Sequence, residues 1–169
     1  MTYERTDMTA IDAVTKIIAD ARTRIGRLGI DQWQYGYPSR DVIAEDIRAG
    51  RSFVARDEDG SLCAVFTVIF DGEPVYRENF DGAWQTDEND YLAVHRIAVS
   101  GEKLRGGVAS GAMKFVEEMA KEMGRKSVRI DTHEGNIPMR AMLSRNGYVH
   151  CGSVYLENGE HRVAYEKLI

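Results

Sequence analysis

The 169-residue sequence has only two cysteines, no excess of basic residues and no long apolar run. Cys63 and Cys151 form no CxxC pair and lack metal-ligand spacing, so we interpret them as reduced thiols and expect no metal site. A net charge of −5 argues against a general nucleic-acid binder, which normally has a basic face. The longest apolar run, near Val65, is shorter than the roughly 20 residues that span a bilayer, and the N-terminus lacks an apolar signal core. We therefore expect a cytoplasmic protein that binds neither nucleic acid nor a membrane.

No repeat, low-complexity tract or Pro/Ser-rich linker divides the sequence, so we expect one domain over residues 1–169. Apolar residues recur at helical spacing over residues 11–28, and Ser39 is placed to cap a second helix that ends near Gly50. Later runs that are rich in β-branched and aromatic residues predict strands, which alternate with two further helical segments. The predicted order is β-αα-βββ-α-β-α-ββ, which is typical of a mixed α/β domain around one sheet.

Two adjacent glycines, Gly106 and Gly107, lie between a predicted strand and a predicted helix in the stretch LRGGVA, residues 104–109. Glycines let backbone N–H groups turn toward an anion, and the N-terminus of the helix adds further N–H donors. The same stretch also fits a tight turn with no ligand. Neither GxGxxG nor the phosphate-binding GxxxxGK[ST] pattern is present, which disfavours a dinucleotide or nucleoside triphosphate site.

The stretches HRIAVSGEKLRGGVASGAMKFVEE and RIDTHEGNIPMRAMLSRNGYVHCG resemble the GNAT superfamily of N-acetyltransferases. The strand order also matches that fold over essentially the whole chain, and GIDQWQYGYPS is similar to bacterial members of unassigned substrate. The resemblance implies a single mixed sheet of about seven strands. It also implies helices on both faces of the sheet and a splay between the two central parallel strands.

Acetyl-CoA is the cosubstrate that the resemblance implies. The family loop [Q/R]-x-x-G-x-[G/A] aligns on residues 104–109, where Leu104 replaces the leading Gln or Arg and an arginine follows it. The family's asparagine, which hydrogen-bonds the pantetheine arm, aligns on Asn136. The N–H of Ile97 or Ala98 would stabilise the developing oxyanion. The implied acetyl-CoA residues are Ile97, Ala98, Val99, Leu104, Arg105, Gly106, Gly107, Val108, Ala109, Ser110 and Asn136.

Direct attack by an amine requires that the amine first lose a proton, and the thiolate can take one up afterwards. Many family members use a tyrosine as the acid, but Leu143 occupies that position here, and the adjacent Ser144 is a weak substitute. His95 is the best candidate base, at a position where aralkylamine N-acetyltransferases carry a catalytic histidine; the alternative is a structural histidine. Strand alternation places Ala93, His95 and Ile97 on one face.

The acceptor site is predicted from aromatic and polar residues in the surrounding loops. Trp33 either lines the site or pins its loop to the core, and Asp131 with His133 either binds the amine or caps the next helix. The substrate candidates are Trp33, Tyr35, Tyr76, Trp84, Asp131 and His133. Seven acidic residues between 71 and 90 either attract a cationic amine or form a solvated loop.

These features lead us to expect an N-acetyltransferase that acts on a small amine, a polyamine, an amino acid or a peptide. A non-catalytic acyl-CoA-binding protein and a protein-modifying enzyme are the alternatives. A homodimer is compatible with the resemblance, although the sequence shows no partner surface.

Overall fold

The computed structural model describes residues 1–86 and 90–169. Within these residues, four α-helices and seven strands follow the predicted order. The helices are α1 (Ile11–Gly26), α2 (Arg40–Arg48), α3 (Val108–Glu122) and α4 (Ile137–Arg145). The strands are β1 (Thr2–Arg5), β2 (Ser52–Arg56), β3 (Leu62–Ile69), β4 (Tyr91–Val99), β5 (Ser127–Thr132), β6 (Val149–Tyr155) and β7 (His161–Leu168).

The strands form one sheet in the order β1-β2-β3-β4-β5-β7-β6. The β4–β5 pair is parallel, whereas β1–β2, β2–β3, β5–β7 and β6–β7 are antiparallel. The predicted mixed sheet is therefore confirmed. A parallel pair needs a crossover connection, and here α3 supplies it between β4 and β5.

The first compact part of the chain consists of Met1–Val68 and Arg96–Met113. Successive side chains of a strand point to opposite faces of its sheet. Accordingly, Val54 of β2 packs with the buried apolar residues of α1 and α2, whereas its neighbour Ala55 packs with Val108 of α3. Helices thus cover both faces of the strands in this part, as predicted.

The predicted cap of α2 is confirmed. Ser39 has extended backbone angles, and its side-chain oxygen accepts a hydrogen bond from the Val42 N–H at 3.3 Å. This bond satisfies one of the N–H donors that the first turn of a helix leaves without a carbonyl partner.

The second compact part consists of Ile69–His95 and Lys114–Ile169. A buried ion pair lies in its sheet: Arg129 Nε of β5 is 2.9 Å from Glu166 Oε1 of β7, and neither side chain is more than 3% exposed. The Ser127 hydroxyl also donates to Glu166. These hydrogen bonds compensate for the removal of both charges from water.

The middle of β4 departs from regular strand geometry at two neighbouring positions. Pairing with β5 runs from Tyr91 to Val94 and stops there, although both strands continue. Arg96 has a φ of 51°, in the left-handed region that a non-glycine residue seldom adopts. Its guanidinium makes two bonds to the Asp46 carboxylate, at 2.7 and 2.8 Å, which hold it in place. Regular alternation is therefore interrupted at this residue, so the shared face predicted for His95 and Ile97 does not follow from strand alternation.

Among the described residues, no helix is both long enough and apolar enough to cross a membrane.

Candidate active site

The loop between β4 and α3 has left-handed backbone at one of its two glycines, Gly107, and also at Arg105. Arg105 and Gly107 have φ angles of 64° and 74°, both in the left-handed region. A Cβ built on Gly107 would meet no described atom within 4 Å, so the loop is open on that side. The Gly111 N–H donates to the Gly107 carbonyl at 2.9 Å at the start of α3, and the amides of residues 108 and 109 lie ahead of this bond. An anion can approach these amides from the open side of the loop.

The end of β4 uses its side chains for packing. Ala98 packs into the cluster of α1 and α2, and Val99 packs against the cluster that contains Val108. The backbone, rather than the side chains, is therefore what this segment can offer a ligand. The Val99 carbonyl accepts a hydrogen bond from Arg24 of α1, and its second lone pair can accept another. No local pattern in the sequence predicts the contact between Arg24 and Val99, because 75 residues separate them.

Asn136 lies at the N-terminus of α4 and is buried. Its side-chain oxygen accepts a hydrogen bond from the Met139 N–H at 3.3 Å, so it caps the helix. The capping role explains why an asparagine suits this position even without a ligand. The predicted contact with pantetheine stays a prediction.

His95 directly follows the last residue of β4 that pairs with β5. Its Nε2 lies 2.9 Å from Oε2 of Glu73, and the two side chains are 18% and 19% exposed. Among the described residues, Nε2 has no partner in hydrogen-bond alignment, so this contact is electrostatic rather than a directional bond. The imidazole ring also lies 5.9 Å from the ring of Tyr76. Glu73 lies in a segment without periodicity, so the sequence marks it only as one acid among several.

Tyr76 contacts two of the other predicted substrate residues, Trp84 and Asp131. Its hydroxyl donates to Asp131 Oδ2 at 2.7 Å, and its carbonyl accepts from Trp84 Nε1 at 2.9 Å. Burial, and then the charge of Asp131, raises the pKa of Tyr76 well above its usual value, so the phenol stays protonated and acts as a donor. Tyr76, Trp84, Asp131 and His95 thus lie in one chain of contacts within the second compact part.

Arg129 anchors this cluster to the sheet. Its guanidinium lies 4.3 Å from the centre of the Trp84 ring and 4.0 Å from that of Tyr91, and Nη2 donates to the Thr86 carbonyl at 2.6 Å. Burial opposes ionisation of Glu166, but hydrogen bonds from Ser127, Thr86 and Arg129 outweigh it and lower the pKa of this carboxyl. The pair therefore stays charged at neutral pH and fixes the segment that carries Trp84.

Three other predicted residues differ in their surroundings: His133 and Trp33 make contacts, whereas Tyr35 is exposed. His133 Nδ1 accepts from the Gly135 N–H at 2.9 Å, in the turn that leads into α4, and its predicted contact with the amine stays a prediction. Trp33 packs against the cluster of α1 and α2, and its predicted role at the acceptor site stays a prediction. Tyr35 is 84% exposed.

The two candidates for the proton donor of α4 lie in different surroundings. Leu143 is fully buried, whereas Ser144 is exposed on the surface of the helix. Neither position presents a buried hydroxyl group.

The acidic segment is mostly solvated where it is described. Glu73 contacts His95, and Asp90 pairs with Lys126 at 2.8 Å. Asp87 and Glu88, which belong to the predicted acidic set, lie outside the described residues.

Residues 18–148 of the chain match the sequence model of the Acetyltransferase (GNAT) family. The chain belongs to the GNAT acetyltransferase family. No curated protein matches its sequence significantly.

Solved structures support the same assignment. A GNAT-family acetyltransferase from Streptococcus agalactiae 2603 is 35% identical, with a TM-score of 0.87 over 99% of this chain and 95% of the other. One from Listeria monocytogenes 4b F2365 is 19% identical, with a TM-score of 0.75 over 99% and 94% of the two chains. The ribosomal-protein-S18-alanine N-acetyltransferase from Escherichia coli is 14% identical, with a TM-score of 0.67 over 99% and 93%. The latter two show that this GNAT acetyltransferase shares their fold.

Proposed function

We propose that this GNAT acetyltransferase transfers the acetyl group of acetyl-CoA directly to a primary amine. The acceptor is a small amine, a polyamine, an amino acid or a peptide. The observation that carries the proposal is the position of His95, which is half-buried and directly follows the last paired residue of the parallel β4–β5 ladder. A neutral imidazole at this position can take a proton from the acceptor amine at neutral pH.

The loop of residues 104–110 is the proposed binding site of the acetyl-CoA pyrophosphate. Its support is the open side at Gly107, together with the amides of residues 108 and 109 at the start of α3. Leu104 is exposed and carries no charge that could attract the pyrophosphate. Arg105 is the only positively charged residue within the aligned motif. Asn136 and the backbone of Ile97 to Val99 are proposed to hold the pantetheine arm, on the strength of the family resemblance.

His95 has the role of general base in the proposed reaction. It takes one proton from the acceptor ammonium, because only the neutral amine has a lone pair that can attack the thioester carbon. The N–H group of Ile97 or Ala98 stabilises the negative charge that develops on the thioester oxygen. An alkyl thiol has a pKa of about 8.5, so a CoA thiolate can leave without a dedicated acid. This chemistry is compatible with the buried Leu143 at the position of the usual tyrosine.

A non-catalytic acyl-CoA-binding protein is the second candidate. The observation that favours it is that Leu143 is buried and Ser144 is exposed on the helix surface, so neither is suited to supply a proton to a thiolate. A protein or peptide acceptor is a further alternative, since the ribosomal-protein-S18-alanine N-acetyltransferase from Escherichia coli shares the fold.

An amine panel separates these candidates. Wild-type protein, His95→Ala and His150→Ala are mixed with acetyl-CoA and each amine, and CoA thiol release is followed. His150 is an exposed histidine on β6 and serves as the matched control. We expect amine-dependent release that falls about 10²–10⁴-fold in kcat/KM for His95→Ala and is unchanged for His150→Ala. Tight binding of acetyl-CoA with no amine-dependent release would favour the non-catalytic candidate, and unchanged kcat/KM in His95→Ala would remove the base assignment.

A further inference from the structure

The Glu73 carboxylate faces His95. Glu73 occupies the N-cap position of a single 3-10 turn, Pro74–Tyr76, yet its side chain makes no capping hydrogen bond to that turn among the described residues. Its N–H donates to the hydroxyl of Tyr91 at 2.9 Å, which fixes the backbone of the residue to β4. The carboxylate instead reaches His95 Nε2 at 2.9 Å.

We propose that Glu73 is a positioning residue that sets the tautomer of the His95 imidazole; its catalytic meaning rests on the proposed function. A carboxylate oxygen repels a nitrogen lone pair at 2.9 Å and attracts an N–H group. The proton of the neutral ring therefore resides on Nε2, and Nδ1 carries the lone pair. Tyr76 limits rotation of the ring, since the two rings lie 5.9 Å apart at an interplanar angle of 31°.

The same contact favours the step in which His95 acts. The acceptor ammonium gives one proton to Nδ1, which turns the ring into an imidazolium with an N–H group on each nitrogen. The positive charge then lies beside the Glu73 carboxylate in a half-buried site, where opposite charges attract more strongly than in bulk water. After transfer of the acetyl group, the imidazolium returns its proton to solvent, and the second amine proton goes to the thiolate. The overall reaction therefore yields the acetamide, the CoA thiol and one proton.

A purely structural role for Glu73 would have a different signature. In that case the carboxylate would only hold the 3-10 turn against β4, and the His95 tautomer would not depend on it. Glu73→Gln separates the two roles, because it keeps the size of the side chain and its oxygen acceptor while removing the charge. Glu73→Asp keeps the charge on a shorter side chain.

Nuclear magnetic resonance of the histidine nitrogens tests the proposal without an acceptor. The chain has four histidines, and the signals of His95 are assigned by their loss in His95→Ala. In wild-type protein at high pH, we expect one tautomer with the proton on Nε2. In Glu73→Gln we expect a mixture of both tautomers, and in Glu73→Asp a return toward the wild-type form. Glu78→Gln, which removes one charge from an exposed position of the same segment, is the matched control and leaves the His95 signals unchanged.

Three results would overturn the proposal. The first is a wild-type ring with its proton on Nδ1, which decides the matter even if a variant fails to fold. The second is a Glu73→Gln protein with the wild-type tautomer, and the third is an equal change in Glu78→Gln. Absence of turnover on every amine would contradict the proposed function, but it would leave the tautomer result standing.

Kinetics on an accepted amine gives a second readout. We expect Glu73→Gln to lower kcat about tenfold with little change in the KM for acetyl-CoA. In the His95→Ala background, Glu73→Gln should have no further effect, because a positioning residue acts only through the residue it positions. If the double variant lowers kcat by the product of the two single-variant factors, Glu73 acts independently of His95.

Discussion

Replacement of Arg129 by methionine should destabilise the protein strongly, because it leaves Glu166 charged and buried. The change removes the 2.9 Å contact with Glu166 and the bond to the Thr86 carbonyl. It also removes the cation–π contacts with Trp84 and Tyr91. Removal of one partner from a buried ion pair typically costs about 3–5 kcal/mol. Each kcal/mol shifts Tm by about 2–4 °C in a protein of this size, so we expect Tm to fall by about 6–20 °C.

Urea unfolding followed by circular dichroism measures this loss. The midpoint should fall while the slope of the transition stays near its wild-type value, since the buried surface is nearly the same. Lys16→Met is the control: it breaks an exposed ion pair, and we expect no resolvable change in the midpoint. The double variant Arg129→Met/Glu166→Leu should regain at least half of the lost stability, because it removes both buried charges.

Two results would refute this reasoning. A loss below about 1 kcal/mol in Arg129→Met would show that the buried carboxylate does not depend on the arginine. If the loss of unfolding free energy in the double variant equals the sum of the losses in the two single variants, the two side chains are not energetically coupled.

Three further predictions concern the loop, the helix α4 and acid stability. Gly107→Ala should weaken acetyl-CoA binding about tenfold, as measured by calorimetry, because a φ of 74° is strained for alanine. The control is Gly60→Ala, which changes a glycine with a φ of 83° in another open turn and should leave binding unchanged. Equal losses in both variants would contradict a role for this loop. Leu143→Tyr should lower stability by about 1–3 kcal/mol and not raise kcat, because the position is fully buried; a faster enzyme would refute this. The Glu166 pKa is lowered from 4.5 in the fold, so its contribution is present above that pH and is lost as pH falls through the folded value. Urea midpoints should therefore drop less steeply below pH 4.5 in Glu166→Gln than in wild type.

The elements of the fold could be predicted because their signals are local. The apolar residues of α1 recur at helical spacing, and Val14, Ile17, Ile18 and Ala21 are the residues that the helix buries. Ser39 lies where a cap is needed, and Gly107 lies where φ is positive. Each of these features depends on residues within a few positions of one another, so a single sequence contains the information.

The contacts of the site could not be predicted, because they join distant residues with no shared pattern. Tyr76 and Asp131 are separated by 55 positions, and Arg24 and Val99 by 75. Glu73 lies in an irregular segment, so periodicity gave no reason to pair its carboxylate with His95. The left-handed φ of Arg96 also had no sequence signal, since arginine does not favour that region.

Transfer of a labelled acetyl group tests the central claim most directly. The protein is incubated with acetyl-CoA labelled with carbon-13 in its acetyl group, together with the accepted amine, and the amine, CoA and intact protein are followed by mass spectrometry. Direct transfer predicts one labelled acetyl group on the amine for each CoA released, with no label on the protein. Accumulation of labelled protein with ping-pong kinetics, or CoA release without acetylated amine, would contradict the account.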